Sequence, residues 1–142
     1  LTIERTATIA RPIEDVYAFL TDLSQLTKWR EDVISNERVS PPGPLDGATF
    51  REVLKTPIGP QTVTVEITAK ENERFGFKVI DGMLRPQGSV DLKAVPEGTL
   101  LAYRVDLKPM LGAPSPLDAA AGAFLTKSIE RSMELLKALL EK

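Results

Sequence analysis

The chain contains no cysteine and no histidine among its 142 residues. The first absence excludes disulfides, thiol nucleophiles and thiolate metal sites, and it fits a reducing compartment, so a cytoplasmic location is expected. The second excludes Ser-His-Asp and Cys-His machinery and removes the commonest transition-metal ligand. Carboxylates could still hold Ca²⁺ or Mg²⁺, but there is no EF-hand spacing and no phosphate-binding glycine loop, so no metal and no cofactor is expected. No apolar run approaches the roughly 20 residues that span a bilayer, and no secretory leader is visible. Charge of one sign is lacking too. Eighteen basic and 20 acidic residues leave a net charge of −2, with no electrostatic footprint for nucleic acid. Catalysis, if any, must rest on carboxylates, Lys, Arg, Tyr or a bound cofactor. The chain opens at Leu1 rather than Met, so a short leading segment is expected ahead of it.

What is present reads as one domain over residues 1–142, large enough to bury roughly two-thirds of the surface its unfolded chain exposes. Thr2 to Ala10 is an opening strand. Pro12 suits the first position of a helix, with Glu14 and Asp15 against the positive end of its dipole. Val16, Phe19, Leu20 and Leu23 recur at helical spacing. Asp22 can cap a second short helix that carries Leu26 and ends around Trp29.

Only strand-like segments follow, until the final helix. Val33 to Val39 is stopped by Pro41-Pro42-Gly43-Pro44, and Thr49 to Lys55 carries Phe50, Glu52 and Leu54 on one face. The clearest strand places Val63, Val65, Ile67 and Ala69 on one side and Thr62, Thr64, Glu66 and Thr68 on the other. Such alternation means one dry and one wet face, as in an antiparallel sheet. Phe75, Phe77 and Val79 mark the next strand, and Gly88 to Val95 with Thr99 to Lys108 forms the last hairpin. In its second arm Leu101, Tyr103, Val105 and Leu107 share a face.

The closing helix has Ser115 as N-cap, Pro116 at its first position and Asp118 completing a capping-box-like start. Leu117, Ala121, Phe124, Leu125, Ile129, Met133, Leu136 and Leu140 follow the helical period. Lys127, Glu130, Arg131, Glu134, Lys137 and Glu141 form its solvated side. The small run Ala119-Ala120-Ala121-Gly122-Ala123 is expected to leave space against the sheet, while the Leu-rich second half packs tightly.

This order resembles the START-like (SRPBCC) superfamily, in its polyketide cyclase/dehydrase-like branch, over essentially the whole chain. The local carriers are Ala10-Arg11-Pro12-Ile13-Glu14-Asp15-Val16-Tyr17-Ala18-Phe19-Leu20-Thr21-Asp22, the Leu26 to Trp29 step and Gly47-Ala48-Thr49-Phe50. Glu97-Gly98-Thr99 and Leu135-Leu136-Lys137-Ala138-Leu139-Leu140-Glu141 complete them. All are structural motifs, with no catalytic signature. The resemblance implies an α+β helix-grip fold, in which a curved antiparallel sheet of about seven strands surrounds a long C-terminal helix. Two short helices follow strand 1, and a hydrophobic cavity lies between sheet and helix. It also implies an apolar ligand, such as a lipid, a polyketide or an aromatic, far more strongly than any reaction.

Within that fold Glu52 has two readings. If its face lines the cavity, its carboxylate loses water and its pKa rises, as an acid or base requires. In the opposite register it is an ordinary solvated carboxylate. Tyr103 either gives a ligand its directional contact or bonds a neighbouring carbonyl. Arg104 and Asp106 are expected on an exposed cross-strand surface with Leu100 and Ala102. By the resemblance Trp29 stacks at the cavity's edge; as the only tryptophan it could equally cover the core, with Lys28, Arg30 and Glu31 solvated around it. Met83 and Leu84 in one loop, and Met110 and Leu111 in another, are apolar where polar residues are usual. They either gate the cavity, contact a membrane or a second copy of the chain, or pack onto the closing helix.

The expected cavity wall comprises Phe50, Val65, Ile67, Phe77, Tyr103, Val105, Ala121, Phe124 and Leu125, with Glu52 and Tyr103 orienting a small hydrophobic ligand and Trp29 among its contacts. Two other readings stay open. One is a cyclase or dehydratase in which Glu52 moves a proton and Tyr103 polarises a carbonyl. The other is a cochaperone-like interaction module with a closed core. A homodimer is compatible with all three.

Overall fold

A computed structural model describes residues 1–109 and 115–142. Its elements are β1 (Thr2–Ile9), α1 (Ile13–Thr21), α2 (Leu26–Trp29), β2 (Val33–Arg38), β3 (Thr49–Leu54), β4 (Gln61–Lys70), β5 (Arg74–Asp81), β6 (Gln87–Val95), β7 (Gly98–Asp106) and α3 (Pro116–Leu140). The seven strands form one antiparallel sheet in the order β1-β7-β6-β5-β4-β3-β2. Hairpins account for every neighbour except β1 with β7. The chain therefore crosses from one sheet edge to the other between β1 and β2, and α1 and α2 make that crossing.

Local chemistry explains the starts and stops. Pro12 is the N-cap of α1 rather than its first residue, and its carbonyl accepts from Val16 N at 3.1 Å. The second short helix expected from the sequence is two pieces. Asp22 accepts from Ser24 N over a 3₁₀ turn at Leu23–Gln25, and a single α-turn follows as α2. A short polar side chain that bonds two residues ahead favours such a turn over a continuous helix. At α3, Ser115 N donates to the Asp118 carboxylate at 2.8 Å, as the capping box requires.

The strand alternation holds. Val63, Val65 and Ile67 of β4 are buried, as are Leu101, Tyr103 and Val105 of β7, while Thr62, Glu66, Thr68 and Arg104 face outward. Register shifts in β2 at Val33/Ser35 and β4 at Thr64/Val65 help the sheet curve. Leu136 and Leu140 of α3 are buried against the concave face with Ile129 and Met133. The helix also closes the β1 edge: Lys137 Nζ donates to Thr8 O at 2.7 Å and Ala10 N donates to Glu141 at 2.9 Å. Two backbone groups at the end of that open strand edge are thereby satisfied.

Candidate functional site

The turn out of α2 builds the polar centre of the molecule. Arg30 N donates to Leu26 O at 2.8 Å to close α2, and the backbone then becomes extended. Arg30 O in turn accepts from Val33 N at 3.1 Å across a turn at Glu31 and Asp32, and this turn brings the Arg30 and Asp32 side chains together inside. Arg30 Nε donates to Asp32 Oδ1 and Nη2 to Oδ2, each at 3.0 Å. Only 3% of Arg30 is exposed, and its guanidinium lies 4.4 Å above the centre of the Phe77 ring. Opposite Phe77 in the β5–β6 ladder stands Gly88. A Cβ there would come within 2.5 Å of the ring, so glycine is what allows Phe77 to lie under the arginine.

The sequence places Lys28, Arg30 and Glu31 in solvent, and this is correct only for Lys28. Arg30 is buried because a bidentate carboxylate and a ring face replace its water. Glu31 is tied to α3: its N–H donates to Ser132 Oγ at 3.0 Å, its carboxylate accepts from Ser128 Oγ at 3.2 Å, and it pairs with Lys55 at 3.5 Å.

Glu52 shares the inner face of β3 with Phe50 and Leu54, and is 2% exposed. Among the described residues its carboxyl has no hydrogen-bond partner. Burial pushes its pKa up to about 7; Arg30 pulls against the shift and Asp32 adds to it. Tyr103 is equally buried, and burial also raises its phenol well above the ordinary value, opposed by Arg30. For Arg30 burial works against the charge, but Asp32, Tyr103 and Glu52 outweigh it and hold the guanidinium protonated. Trp29 stands edge-on to Tyr103 with ring centres 6.1 Å apart, and its Nε1 is buried without a partner. The Tyr103 hydroxyl likewise has no partner among the described residues.

Two small cavities lie between the sheet and α3. The inner one, about 10 Å³, is lined by Arg30, Asp32, Phe77, Tyr103 and Val105 from the sheet side and by Leu125, Ser128 and Ile129 from the helix. The outer one, about 30 Å³, lies among Leu54, Thr56, Pro57, Leu84, Leu107, Ala121, Phe124 and Leu125. Asp32, Pro86 and Leu125 border both, so the two form one interrupted path from exposed loop residues to the buried ion pair. Such volumes hold about a water each. The small-residue half of α3 does not open a larger space, because Ala119, Ala120 and Ala123 face outward and only Ala121 and Gly122 are buried. Leu84, Pro86, Phe124 and Leu125 fill the remainder.

Of the expected wall residues, Phe77, Tyr103, Val105, Ala121, Phe124 and Leu125 border this path. Phe50, Val65 and Ile67 are buried on the same sheet face but border neither cavity, and the same is true of Trp29 and Glu52. Leu84 borders the outer cavity, whereas Met83 is 64% exposed. Met110 and Leu111 lie outside the described residues. Arg104 and Asp106 sit on the outer face, paired with each other at 3.5 Å and with Glu4 at 3.9 Å from Arg104. Sequence reasoning missed Arg30, Asp32 and Gly88. The Arg30-x-Asp32 spacing at a strand entry was the available signal for the first two.

Larger hollows of about 380 and 400 Å³ open on the surface. The first lies on the outer sheet face among charges that neutralise one another, such as Arg74 and Asp91. Neither contains a buried group in need of a partner, so chemistry is concentrated inside. Among the described residues no acidic cluster could hold a metal ion, and no helix is long and apolar enough to cross a membrane.

A family model described as polyketide cyclase/dehydrase and lipid transport matches residues 1–141. No curated protein matches. Among solved structures, TTHA0849 from Thermus thermophilus is similar with a TM-score of 0.75 at 20% identity, over 97% of this chain and 94% of that one. A START superfamily protein from Mycobacterium smegmatis gives a TM-score of 0.78 at 14% identity, over 99% and 97%. The di-domain ARO/CYC StfQ from the steffimycin biosynthetic pathway gives 0.75 at 18% identity, this chain spanning 50% of its length. At these identities the likeness is one of fold: the seven-stranded sheet and C-terminal helix are a START-like helix grip.

Proposed function

The chain belongs to the polyketide cyclase/dehydrase and lipid transport family, and on that premise we propose that it binds a small apolar or amphipathic molecule along the path between the sheet and α3. The observation that carries this reading is a polar inner end to an otherwise largely apolar path: Tyr103 borders the inner cavity beside the buried Arg30–Asp32 pair. Behind Tyr103, edge-on to its ring, Trp29 keeps a buried Nε1 donor without a partner among the described residues. Buried polar groups are almost always hydrogen-bonded in folded proteins, so such a centre beside a cavity supports a place that a bound molecule completes. Burial of the ligand's apolar surface would supply most of the affinity, at about 25 cal/mol per Å² before ordering costs. The path must widen to admit it, and the half-buried Phe124 and Leu125 of α3 with Leu84 of the β5–β6 loop are the side chains that would move aside.

Uptake of the neutral fluorescent probe Nile red tests the placement. The Ala121→Trp variant is expected to abolish uptake while retaining its circular dichroism spectrum, because the larger ring fills the outer cavity. Undiminished uptake by the folded variant would remove the ligand from this path.

An enzymatic reading is favoured by one observation, the Glu52 pKa near 7, where a carboxyl can both give and take a proton at neutral pH. In a cyclase or dehydratase Glu52 would transfer the proton and Tyr103 would polarise a carbonyl. Loss of turnover of a poly-β-ketone substrate in both Glu52→Gln and Tyr103→Phe is the expected result. Turnover indifferent to both would end those assignments.

A further inference from the structure

The ligand path is pinched where its two cavities meet, at Asp32, Pro86 and Leu125. Glu31, the residue before Asp32, borders neither cavity but grips a residue of each. Its Oε1 pairs at 3.5 Å with Lys55 Nζ, and Lys55 borders the outer cavity. Its Oε2 accepts from Ser128 Oγ at 3.2 Å, and Ser128 borders the inner one. On the sheet side these groups form one unit, because Lys55 N donates to Asp32 O at 2.8 Å. Lys55 thus orients the carboxylate, and the bond to Ser128 is the one that crosses from the sheet to α3.

The hold on α3 changes along its length. Its last turns are bonded to β1 and the residues after it, through Lys137 to Thr8 O, Glu141 to Ala10 N, and Arg11 Nη1 to Leu140 O at 2.9 Å. Its middle is held by Ser132 Oγ, which accepts from the Glu31 N–H, and one turn earlier by Ser128. Upstream of Ser128 the helix turns Ala121 and Gly122 inward, with Phe124 and Leu125 half-buried. Ala121, Phe124 and Leu125 are the helix-side border of the outer cavity. That segment is also softened. Gly122 is a poor helix former, and Thr126 Oγ1 donates back to Gly122 O at 2.8 Å, a bond that tends to bend helices.

We infer that Glu31 is a latch on the ligand path: its grip on Ser128 holds the upstream half of α3 against the sheet, and ligand entry and exit wait on its release. The inference rests on the proposed ligand binding and assigns its control. Ser132 is the fixed point, since its bond is to the Glu31 backbone and lasts when the carboxylate lets go. Because Glu31 borders neither cavity, the latch can close again over a seated ligand. A bond present before and after passage but absent during it raises the barrier in both directions and leaves affinity unchanged. One hydrogen bond to a charged group slows exchange by about ten-fold, enough to control passage without sealing the path.

Stopped-flow fluorescence with Nile red reads both rates, association on mixing and dissociation on dilution. Glu31→Ala is expected to raise the two together by about ten-fold, with Kd unchanged within about two-fold. Ser128→Ala is expected to speed association as well. The Glu31→Ala/Ser128→Ala double variant should be no faster than Glu31→Ala, because the two side chains share one bond. Glu31→Gln, uncharged but of the same shape, should lie between wild type and Glu31→Ala, and it carries the comparison if Glu31→Ala loses its circular dichroism spectrum. A Glu31 that only braces the fold would lower the urea midpoint and leave the rates alone, or would weaken binding through dissociation only. Either result, or additive effects in the double variant, would overturn the latch. If Nile red still bound and Ala121→Trp still blocked it, ligand binding along the path would stand. Absence of Nile red uptake by the wild type would overturn both.

Discussion

At the scale of single residues, Glu52 is the group whose protonation reports on the interior. Its folded pKa lies near 7 against an ordinary 4.5, chiefly because burial disfavours the charged form. Between those values the folded chain holds a proton that the unfolded chain has released, so stability falls as pH rises. The contribution is complete below about pH 4.5 and is lost as pH passes through 7. Its size is on the order of 3 kcal/mol. Urea unfolding at about pH 5 and pH 8 is expected to show that decline in the wild type and a shallower one in Glu52→Gln. An identical slope in the variant would place the carboxyl in water. Asp32 behaves differently, since its partner cannot neutralise. Asp32→Asn leaves Arg30 buried and uncompensated, and a loss of about 3–5 kcal/mol is expected in the same measurement. Little of this was legible beforehand. Strand alternation put Glu52 on the face of Phe50 and Leu54 as one of two registers, whereas a charged run around Trp29 reads as surface until the partner of each charge is known.

At the scale of elements, the site depends on how β5, β6 and α2 are brought together. Gly88 lets the Phe77 ring lie against β6, and Phe77 in turn supports Arg30. Gly88→Ala pushes a methyl group into the ring and to 3.1 Å from Arg104 O. A destabilisation of about 1–3 kcal/mol is expected, by analogy with other overpacked cores. Equal stability would mean that the ring moves freely. The α3 helix was well marked in sequence by Ser115, Pro116 and Asp118, and its buried stripe follows the expected period through Ile129, Met133 and Leu136. Its polar stitches were not marked. Ser128 and Ser132 sit one turn apart inside that stripe and hold the backbone and side chain of Glu31. Serines on an apolar helix face have no sequence signature that distinguishes such a role.

Across the molecule as a unit, one apolar core runs from α1 through the concave sheet face to α3, and Trp29 is embedded in it. A core shared by all elements unfolds cooperatively. Trp29 fluorescence and far-ultraviolet circular dichroism are therefore expected to trace the same urea transition. Separate midpoints would show that α3 detaches from the sheet before the sheet unfolds, a motion that would widen the ligand path. The interior is nearly filled in the absence of ligand, with cavities of about 30 and 10 Å³, so uptake requires rearrangement along Leu84, Phe124 and Leu125.

The seven strands, the closing helix with its cap, and the faces that go inside were all readable from the order of residues. Period, turn residues and caps act over a few neighbours and are written locally. The excluded chemistry was readable in the same way, since no fold can supply a histidine or a thiol that the chain lacks. The burial of Arg30, its support by Asp32 and Phe77, and the closure of most of the expected cavity by Phe124, Leu125, Leu84 and Pro86 emerged only on folding. Those outcomes depend on atoms from segments far apart in the chain meeting within a few ångströms. Burial of a charge is decided by what replaces its water, and here that replacement is assembled from the entry to β2, from β5 and from α3 together.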